Sequence, residues 1–562
     1  MTGFSSRVSL GLVFLYLAAC GRAPVPPPAQ PTNAADAQDS LSGIVDRYWA
    51  EHVPPGVSLS PQFLADSLAV ERRFLGEVLA VPRARLDADA RLTYDIFKRW
   101  RELDIEGLTY PSELLPVNPF DGMPQQFART AADLGQRPLK AAGDYENWRV
   151  RIDEYVRWTR QAIANMREGT RRGYTSPRVL MERMLPLLQG LGADNADNVF
   201  YLPLRTMPES IGEPERTRLA TSLNSAVKDK LLPAYRELHD FIQRDYLPRA
   251  RASLGLSALP LGPPWYAGLV KRATGTQLTP DEIHTIGIAE VDRIRGRLNS
   301  MPAGTPPTLR AGDLLNAYLE LKTRTLAAVP SLFSALPRAD FEIRALGPFH
   351  DALTFLAYQP AAPQSGAPAI LFVNTAPGAS RSASLETANF LMEAIPGRHY
   401  QSALQLERAD LPMFRRFGSE PAFVDGWALY AASLGEELGS YRDDEAKRGA
   451  LLGQLKCAVA LVVDTGVHAK GWTRAQAAAY LRAQLAAEDV DANLMTDRFA
   501  ALPGSALACK MGELKIRALR TRAQQSLGSG FDIREFHSEI LKDGAMPLDI
   551  LEAKMKLWME AR

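Results

Sequence analysis

The stretch Phe390-Leu-Met-Glu-Ala-Ile-Pro-Gly-Arg-His-Tyr-Gln401 places one acid and one histidine in an apolar, helix-compatible run. Metal-dependent hydrolases build their sites on such runs, with histidine ligands about a turn apart and a glutamate beside the first as general base. Here Met392 precedes Glu393, and Pro396 stands four residues after Met392. A thioether is a poor ligand for Zn²⁺, and proline has no ligand atom. The stretch therefore has the frame of a zinc helix without its ligands.

The overall composition is that of an ordinary globular protein, with 46% hydrophobic and 23% charged residues among 562. A chain of this length is long enough for several hydrophobic cores. Its 65 basic and 64 acidic residues give a formal net charge of +1. This balance gives no electrostatic reason to expect binding to nucleic acid. A small molecule, a peptide or a protein is the expected kind of partner.

The N-terminus has the pattern of an export signal. Arg7 precedes an apolar run over residues 8–19, which is shorter than the ~20 residues of an ordinary spanning helix. The run ends in Leu-Ala-Ala-Cys20, which resembles the lipobox of bacterial lipoproteins and predicts a signal peptide over residues 1–20 with a lipidated Cys20. The alternative is an ordinary signal peptide with an incidental cysteine. Because Gly21 rather than Asp follows, the periplasmic face of the outer membrane is favoured over the inner membrane.

After Cys20 the chain changes character twice. Residues 21–40 are rich in proline and alanine, which predicts a disordered tether. From residue 41 to residue 562, apolar residues recur mainly at three- and four-residue intervals, as in amphipathic helices. The predicted helices are Leu41–Glu51, Leu64–Leu79, Leu86–Leu103, Asp144–Arg171, Thr279–Leu298, Ala311–Ala328, Pro421–Leu438, Lys447–Ala469, Thr473–Glu488, Ser505–Leu527, Asp532–Leu541 and Pro547–Trp558. Ser222–Leu254 is predicted to form one or two further long helices.

Three short runs interrupt the helical pattern at about residues 340–375. They are Phe341–Leu346, Leu353–Tyr358 and Ile370–Asn374, each bounded by proline or glycine turns. They predict a small sheet of about three strands, inserted before Glu393 in a mainly α body that forms one unit or two tightly joined lobes. Its edge is either a strand-addition site for an extended peptide or a purely structural flap.

Beyond Cys20, the cysteines are Cys457 and Cys509. Export permits a disulfide, but two cysteines in a large chain are not a disulfide framework. Two buried free thiols are the expected state.

Several polar residues are candidates to join Glu393 at a site. His399 follows Met392 by seven residues, which places the two on one face of a continuous helix. Asp425 opens an apolar aromatic helix, where it is either a ligand or simply an N-cap. Asp464 and His468 stand one turn apart at metal-ligand spacing, and an intrahelical hydrogen bond between them is the alternative.

Substrate contacts are expected from three further positions. Arg398 and Arg498 can each pair with a ligand carboxylate. For Arg498 a structural salt bridge is the alternative. Asn374, at the end of the third β-leaning run, is the remaining candidate.

Seven motifs together resemble a large bacterial family that carries only the name of a domain of unknown function, number eight hundred and eighty-five. They are Leu92-Thr-Tyr-Asp-Ile-Phe-Lys-Arg-Trp100, Asp144-Tyr-Glu-Asn-Trp148, Leu278-Thr-Pro-Asp-Glu-Ile-His-Thr-Ile-Gly287, Asp425-Gly-Trp-Ala-Leu-Tyr430, Val462-Val-Asp-Thr-Gly-Val-His468, Gly512-Glu-Leu-Lys-Ile-Arg517 and Phe531-Asp-Ile-Arg-Glu-Phe-His537. The members of this family look like zinc peptidases. The resemblance therefore implies a zincin-like, gluzincin-type fold.

The central motif of the family reads His-Glu-Ala-Ile-Pro-Gly-His-His-x-Gln and is followed by Glu-Gly-Trp-Ala-Leu-Tyr. The first histidine corresponds to Met392, the paired histidines to Arg398 and His399, and the second glutamate to Asp425. Glu393 remains at the position of the general base, and His399 is the one motif histidine that is kept. The positions of two further family arginines hold Cys457 and Ala460, and a family tyrosine position holds Cys509.

The resemblance with these departures implies a zincin-like protein with a degenerate metal site, held at the membrane by Cys20 and impaired as a zinc hydrolase. Its cofactor is either none or zinc, held by His399 and Asp425 with Asp464 or His468. Peptides or cell-envelope fragments are its expected ligands. The alternatives are an active hydrolase with a rearranged site that uses Glu393 as base, and a scaffolding lipoprotein without a ligand.

Overall fold

A computed structural model describes residues 33–53, 58–136, 139–302, 308–347, 355–362, 366–375, 381–486 and 489–562. The predicted signal peptide, Cys20 and the first part of the predicted tether lie outside these described residues.

Helices form most of the structure. Within the described residues the α-helices are α1 (Ala34–Glu51), α2 (Pro61–Ala80), α3 (Ala88–Gly107), α4 (Met123–Gln136), α5 (Ala142–Arg172), α6 (Arg178–Leu191), α7 (Leu202–Arg205), α8 (Glu213–Ser225), α9 (Leu232–Phe241), α10 (Gly262–Thr274), α11 (Pro280–Asn299), α12 (Leu314–Ala328), α13 (Ala383–Glu393), α14 (Arg398–Glu407), α15 (Met413–Arg416), α16 (Pro421–Ser433), α17 (Asp444–His468), α18 (Arg474–Leu485), α19 (Asp489–Ala501), α20 (Leu507–Leu527), α21 (Ile533–Leu541) and α22 (Leu548–Glu560).

The predicted small sheet is confirmed. Strands β2 (Phe341–Ala345), β3 (Leu356–Gln359) and β4 (Ala369–Val373) form it in the order β2-β4-β3. Strand β4 is central, parallel to β2 and antiparallel to β3. A separate antiparallel pair, β1 (Thr308–Leu309) with β5 (Arg381–Ser382), was not predicted. The mainly helical fold with one small sheet before the Glu393 helix is therefore as predicted.

Two boundaries differ from the predictions. Helix α1 begins at Ala34, inside the predicted tether, because the Asn33 side chain accepts a hydrogen bond from the Asp36 amide and caps the helix. The region 222–254, predicted as one or two helices, is divided by two π-helical segments, Ala226–Leu231 and Ile242–Tyr246, and its last helical turn ends at Arg249. Each segment is followed within two residues by a proline, which has no amide to continue the α-helical hydrogen bonds.

Two large hydrophobic clusters form the core. One lies among α5, α6, α9 and α17, and the other joins the N-terminal helices to the small sheet, α13, α16 and α20. Helix α17 is long and apolar enough to cross a membrane, yet 78% of its most apolar window is buried inside the protein. We interpret α17 as a central core helix.

The two cysteines form a disulfide, so the prediction of free thiols is wrong. Cys457 in α17 and Cys509 in α20 are bonded, with their Cα atoms 6.1 Å apart. Helices α17 and α20 pack against each other, which brings two positions 52 residues apart in sequence within bonding distance. The number of cysteines alone gave no sign of this packing.

Candidate functional site

The central stretch is not one helix. Helix α13 ends at Glu393, the chain passes through a cis Ile395–Pro396 peptide bond, and α14 begins at Arg398. A Cβ at Gly397 would lie 2.0 Å from the Met392 carbonyl oxygen, so only glycine fits where the chain turns. The predicted shared helix face of Met392 and His399 is therefore wrong, because the two residues belong to different helices.

Helix α16 holds this turn in place from the other side. The indole nitrogen of Trp427 donates a hydrogen bond of 2.9 Å to the Pro396 carbonyl. Gly426 packs directly on Gly512 of α20, where a Cβ would lie 2.4 Å from the Gly512 Cα. This close approach fixes α16 on α20, and the Trp427 hydrogen bond places α16, with Asp425, beside the turn before α14.

Arg398 lies between two carboxylates. Its Nε donates to Glu393 at 3.0 Å and its Nη1 donates to Asp425 at 2.7 Å. The three side chains are 9%, 3% and 15% exposed for Arg398, Glu393 and Asp425. Burial alone would lower the pKa of Arg398, but the two carboxylates outweigh it and raise that pKa. Burial raises the pKa of Asp425, against the opposing effect of Arg398.

The guanidinium of Arg398 thus offsets one of the two carboxylate charges. With both carboxylates ionised, one negative charge is left over. Among the described residues, Nη2 of Arg398 is buried without a hydrogen-bond partner. The guanidinium therefore keeps one donor for a further acceptor.

His399 points to other partners. Its Nδ1 accepts a hydrogen bond of 3.0 Å from the Tyr358 hydroxyl, and the ring also bonds to the Ala339 backbone. The Phe341 ring lies against it, with centroids 4.5 Å apart. Burial lowers the pKa of His399 to about 4, so the imidazole is neutral at pH 7.

A cavity of about 320 Å³ lies beside His399, between the small sheet and α14. Its wall is largely apolar, with Tyr358 and His399 as polar groups and Arg338, Glu407 and Arg416 as charged ones. The remaining lining residues are Ala339, Ala361, Ala369, Ala403, Leu406 and Ala409.

Asp464 and His468 are bonded to separate partners. Asp464 accepts hydrogen bonds from the Tyr266 hydroxyl at 2.6 Å and from the Gly504 amide. His468 accepts at Nδ1 from the Leu256 amide, 3.1 Å away, and bonds through Nε2 to the Phe499 carbonyl, 2.9 Å away. Both side chains are completely buried. Each ties a loop to α17, and none of these contacts connects them to Glu393 or Asp425.

Burial raises the pKa of Asp464 to about 7, so the folded protein keeps its proton where the unfolded chain has lost it. As the pH rises from about 4 to about 7, we expect the free energy of unfolding of wild type to fall relative to that of Asp464→Asn. The fall is up to about 1.4 kcal/mol per pH unit. Urea denaturation at several pH values measures this difference. The exposed control Asp281→Asn should not show the trend, because Lys470 lowers the pKa of Asp281. If the difference in the free energy of unfolding between wild type and Asp464→Asn stays constant with pH, the pKa of Asp464 is not raised in the folded protein.

The other predicted contact residues lie in different surroundings. The guanidinium of Arg498, in α19, is 5.8 Å from the Phe120 ring centre. Asn374 follows β4. Its backbone amide donates to the Phe355 carbonyl, and its backbone carbonyl accepts from Arg381. Their roles in substrate binding stay predictions.

The donor groups do not fit a zinc ion. A catalytic zinc site needs about three protein ligands around one point. In the part of the chain that the structure describes, no three or more His, Cys, Asp or Glu side chains are placed to hold a metal ion. The guanidinium of Arg398 lies between Glu393 and Asp425, and both ring nitrogens of His468 are bonded to backbone groups.

A second buried charge cluster was missed in the sequence. Glu386, about two full turns before Glu393 in α13, accepts a hydrogen bond of 2.6 Å from Tyr318 and pairs with Arg381 at 3.4 Å. The signal was present, because an acid seven residues before Glu393 occupies the same buried helix face.

The overall fold recurs in solved structures. One is a predicted lipoprotein from Colwellia psychrerythraea, with a TM-score of 0.79 and 24% identity. Another, from Shewanella oneidensis, is a predicted lipoprotein of unknown function, with a TM-score of 0.67 and 14% identity. Each match covers 94% of this chain and 100% of the other. At such identities the two structures establish the fold alone.

The family described as "Bacterial protein of unknown function (DUF885)" matches residues 56–555, and the chain belongs to it. The resemblance inferred from the seven motifs is confirmed. No functionally curated protein matches the sequence.

Proposed function

We propose that this protein is a lipid-anchored, zincin-like (gluzincin-type) cell-envelope protein that binds peptides or cell-envelope fragments and does not act as a zinc hydrolase. The observation that carries the proposal is the placement of the Arg398 guanidinium between Glu393 and Asp425, at 3.0 and 2.7 Å. The resemblance makes Arg398 the replacement of a ligand histidine. The lipobox-like Cys20 and two structural relatives described as predicted lipoproteins support the anchor.

The charge of Arg398 opposes metal binding in addition to the missing ligands. A divalent cation between Glu393 and Asp425 has to displace the guanidinium or lie close to it. Two like charges about 4 Å apart repel by about 4 kcal/mol at an effective dielectric constant of about 20. Glu393 is also unsuited to act as a general base, since it accepts a hydrogen bond from a permanently charged donor.

Peptide binding is supported by the sheet and the cavity. Strand β3 has β4 as its one partner in the described sheet, so its other edge can accept a strand. Tyr358, in β3, also lines the cavity beside His399. An extended peptide along β3 can thus place a side chain in the largely apolar cavity.

The absence of zinc hydrolysis is tested on purified full-length protein equilibrated with Zn²⁺. We expect less than stoichiometric zinc by elemental analysis and no cleavage of a random peptide library, both for wild type and for Glu393→Gln. Stoichiometric zinc together with cleavage that Glu393→Gln abolishes would establish the rearranged hydrolase instead.

Peptide binding is tested with Leu406→Trp, which fills part of the cavity from α14. We expect this variant to bind the same library at least tenfold more weakly than wild type, a loss of about 1.4 kcal/mol. The matched control is Leu557→Trp, since Leu557 is 66% exposed on α22. Equal binding by all three proteins would contradict the cavity's role, and absence of binding to wild type would favour a scaffold without a ligand.

A further inference from the structure

Two cationic side chains lie around one aromatic ring at the end of the small sheet. The guanidinium carbon of Arg381 is 5.0 Å from the Phe355 ring centre, and the ammonium of Lys456 is 5.7 Å from the same centre. Arg381 comes from β5 and Lys456 from α17. Both distances are within the range of cation–π contacts, so the ring helps to hold two like charges near each other.

Glu386 has the largest electrostatic effect on Lys456 among the acids but does not pair with it. One oxygen of Glu386 accepts from Tyr318 and Arg381, and the other accepts from the Asn389 side chain at 3.3 Å. Across the residues that the structure describes, the ammonium of Lys456 has no hydrogen bond or ion pair. Asp491, which attracts it electrostatically, lies exposed in α19.

Among the described residues, Glu386 pairs with Arg381 and leaves Lys456 without a carboxylate partner. Burial lowers the pKa of Lys456, although Glu386 and Asp491 oppose this shift. Arg381 is 6% exposed, and its Nε is buried without a partner among the described residues. Arg381 is buried and Lys456 is partly buried, and unpaired cations and donors in such places are costly. With one carboxylate for two cations, the cluster is one negative charge short of balance.

We propose that Lys456 and Arg381 bind a free carboxylate of the peptide ligand. One excess positive charge matches a carboxylate, whereas a phosphate dianion would overcompensate it. The inference rests on the proposed peptide binding and adds the chemical group by which the peptide is recognised.

The position of this subsite fits an extended peptide. Glu386 and Glu393 are seven residues apart in α13, which corresponds to about 10 Å along the helix axis. The Tyr318 hydroxyl lies in the electrostatic field of both carboxylates, so the two charged clusters are neighbours inside the protein. About three extended residues span that distance. Phe355 immediately precedes β3, along which the peptide is proposed to lie.

The test measures binding of three random hexapeptide libraries to full-length wild type and Lys456→Met. One library has free C-terminal carboxylates, the second is C-terminally amidated, and the third is amidated with aspartate at a fixed internal position. We expect wild type to bind the first library at least tenfold more tightly than the second, and Lys456→Met to lose that preference without weaker binding of the amidated library. Lys556→Met is the matched control, because Lys556 is a largely exposed lysine.

The third library identifies the source of the carboxylate. Tight binding of the first library alone indicates a C-terminal carboxylate, and tight binding of the third as well indicates any peptide carboxylate. If wild type binds all three equally and Leu406→Trp still weakens binding, the carboxylate subsite is wrong and the proposed function stands. If wild type binds none, both are wrong.

Denaturation of Lys456→Met separates binding from folding. Because the ammonium has no hydrogen-bond or ion-pair partner among the described residues, we expect the variant to be at least as stable as wild type. A marked loss of stability would give Lys456 a structural role and overturn the inference.

Discussion

Arg398→Met is expected to lower the free energy of unfolding by about 3–5 kcal/mol at pH 7. The reason is that Glu393 and Asp425 then remain buried as two carboxylates without their shared cation. Urea denaturation followed by circular dichroism measures the loss. Folding of the variant requires these acids to take up protons, which the unfolded chain releases above about pH 4. The difference from wild type should therefore shrink as the pH falls from 7 towards 4.

The control for this variant removes all three charges together. Arg398→Met combined with Glu393→Gln and Asp425→Asn should recover most of the lost stability, since no charge stays unpaired. Wild-type stability of the single variant at pH 7 would show that the guanidinium does not compensate two ionised carboxylates.

The second large effect concerns the disulfide between α17 and α20. Replacing Cys457 and Cys509 with alanine opens a closed loop of 52 residues. In the chain-entropy description, loss of such a cross-link lowers the free energy of unfolding by about 4 kcal/mol. Urea denaturation of oxidised wild type and of the double variant measures the difference.

A reducing agent supplies the matching control for the disulfide. Reduced wild type should unfold at about the same urea concentration as the double variant, because the disulfide constrains the unfolded chain of neither. The reducing agent should leave the double variant unchanged. Equal midpoints for oxidised wild type and the double variant would contradict a stabilising cross-link.

Local patterns made much of the fold predictable. Apolar spacing gave the long helices, and β-branched and aromatic runs between turn residues gave the three strands. Pro396-Gly397 marked a possible break in the central stretch. The sequence did not show that this break places Met392 and His399 on different helices. A cis peptide bond and the close approach of two backbones depend on tertiary contacts such as Trp427 with Pro396.

The candidate site was predictable in its members and not in their pairing. Glu393, Arg398 and Asp425 were all identified from the sequence, yet only the packing of α16 on α20 brings Asp425 to Arg398. Asp464 and His468 have ligand spacing, but that spacing does not reveal that Tyr266, Gly504, Leu256 and Phe499 are their partners. The sequence did not identify Lys456 as a site residue, because a single lysine in an apolar helix does not show which residues it will contact in the fold.

The bridge made by Arg398 also bears on how such a protein can evolve. Changing Arg398 back to histidine alone removes the one cation between Glu393 and Asp425, so the first step of a reversion destabilises the fold. Changing Met392 to histidine first places an added ligand beside a guanidinium that still repels metal. Under the proposed function, neither single step gains activity, and the route back to an ancestral zinc enzyme passes through a less fit intermediate. Under the proposed function, Arg398 is therefore a barrier to reversion.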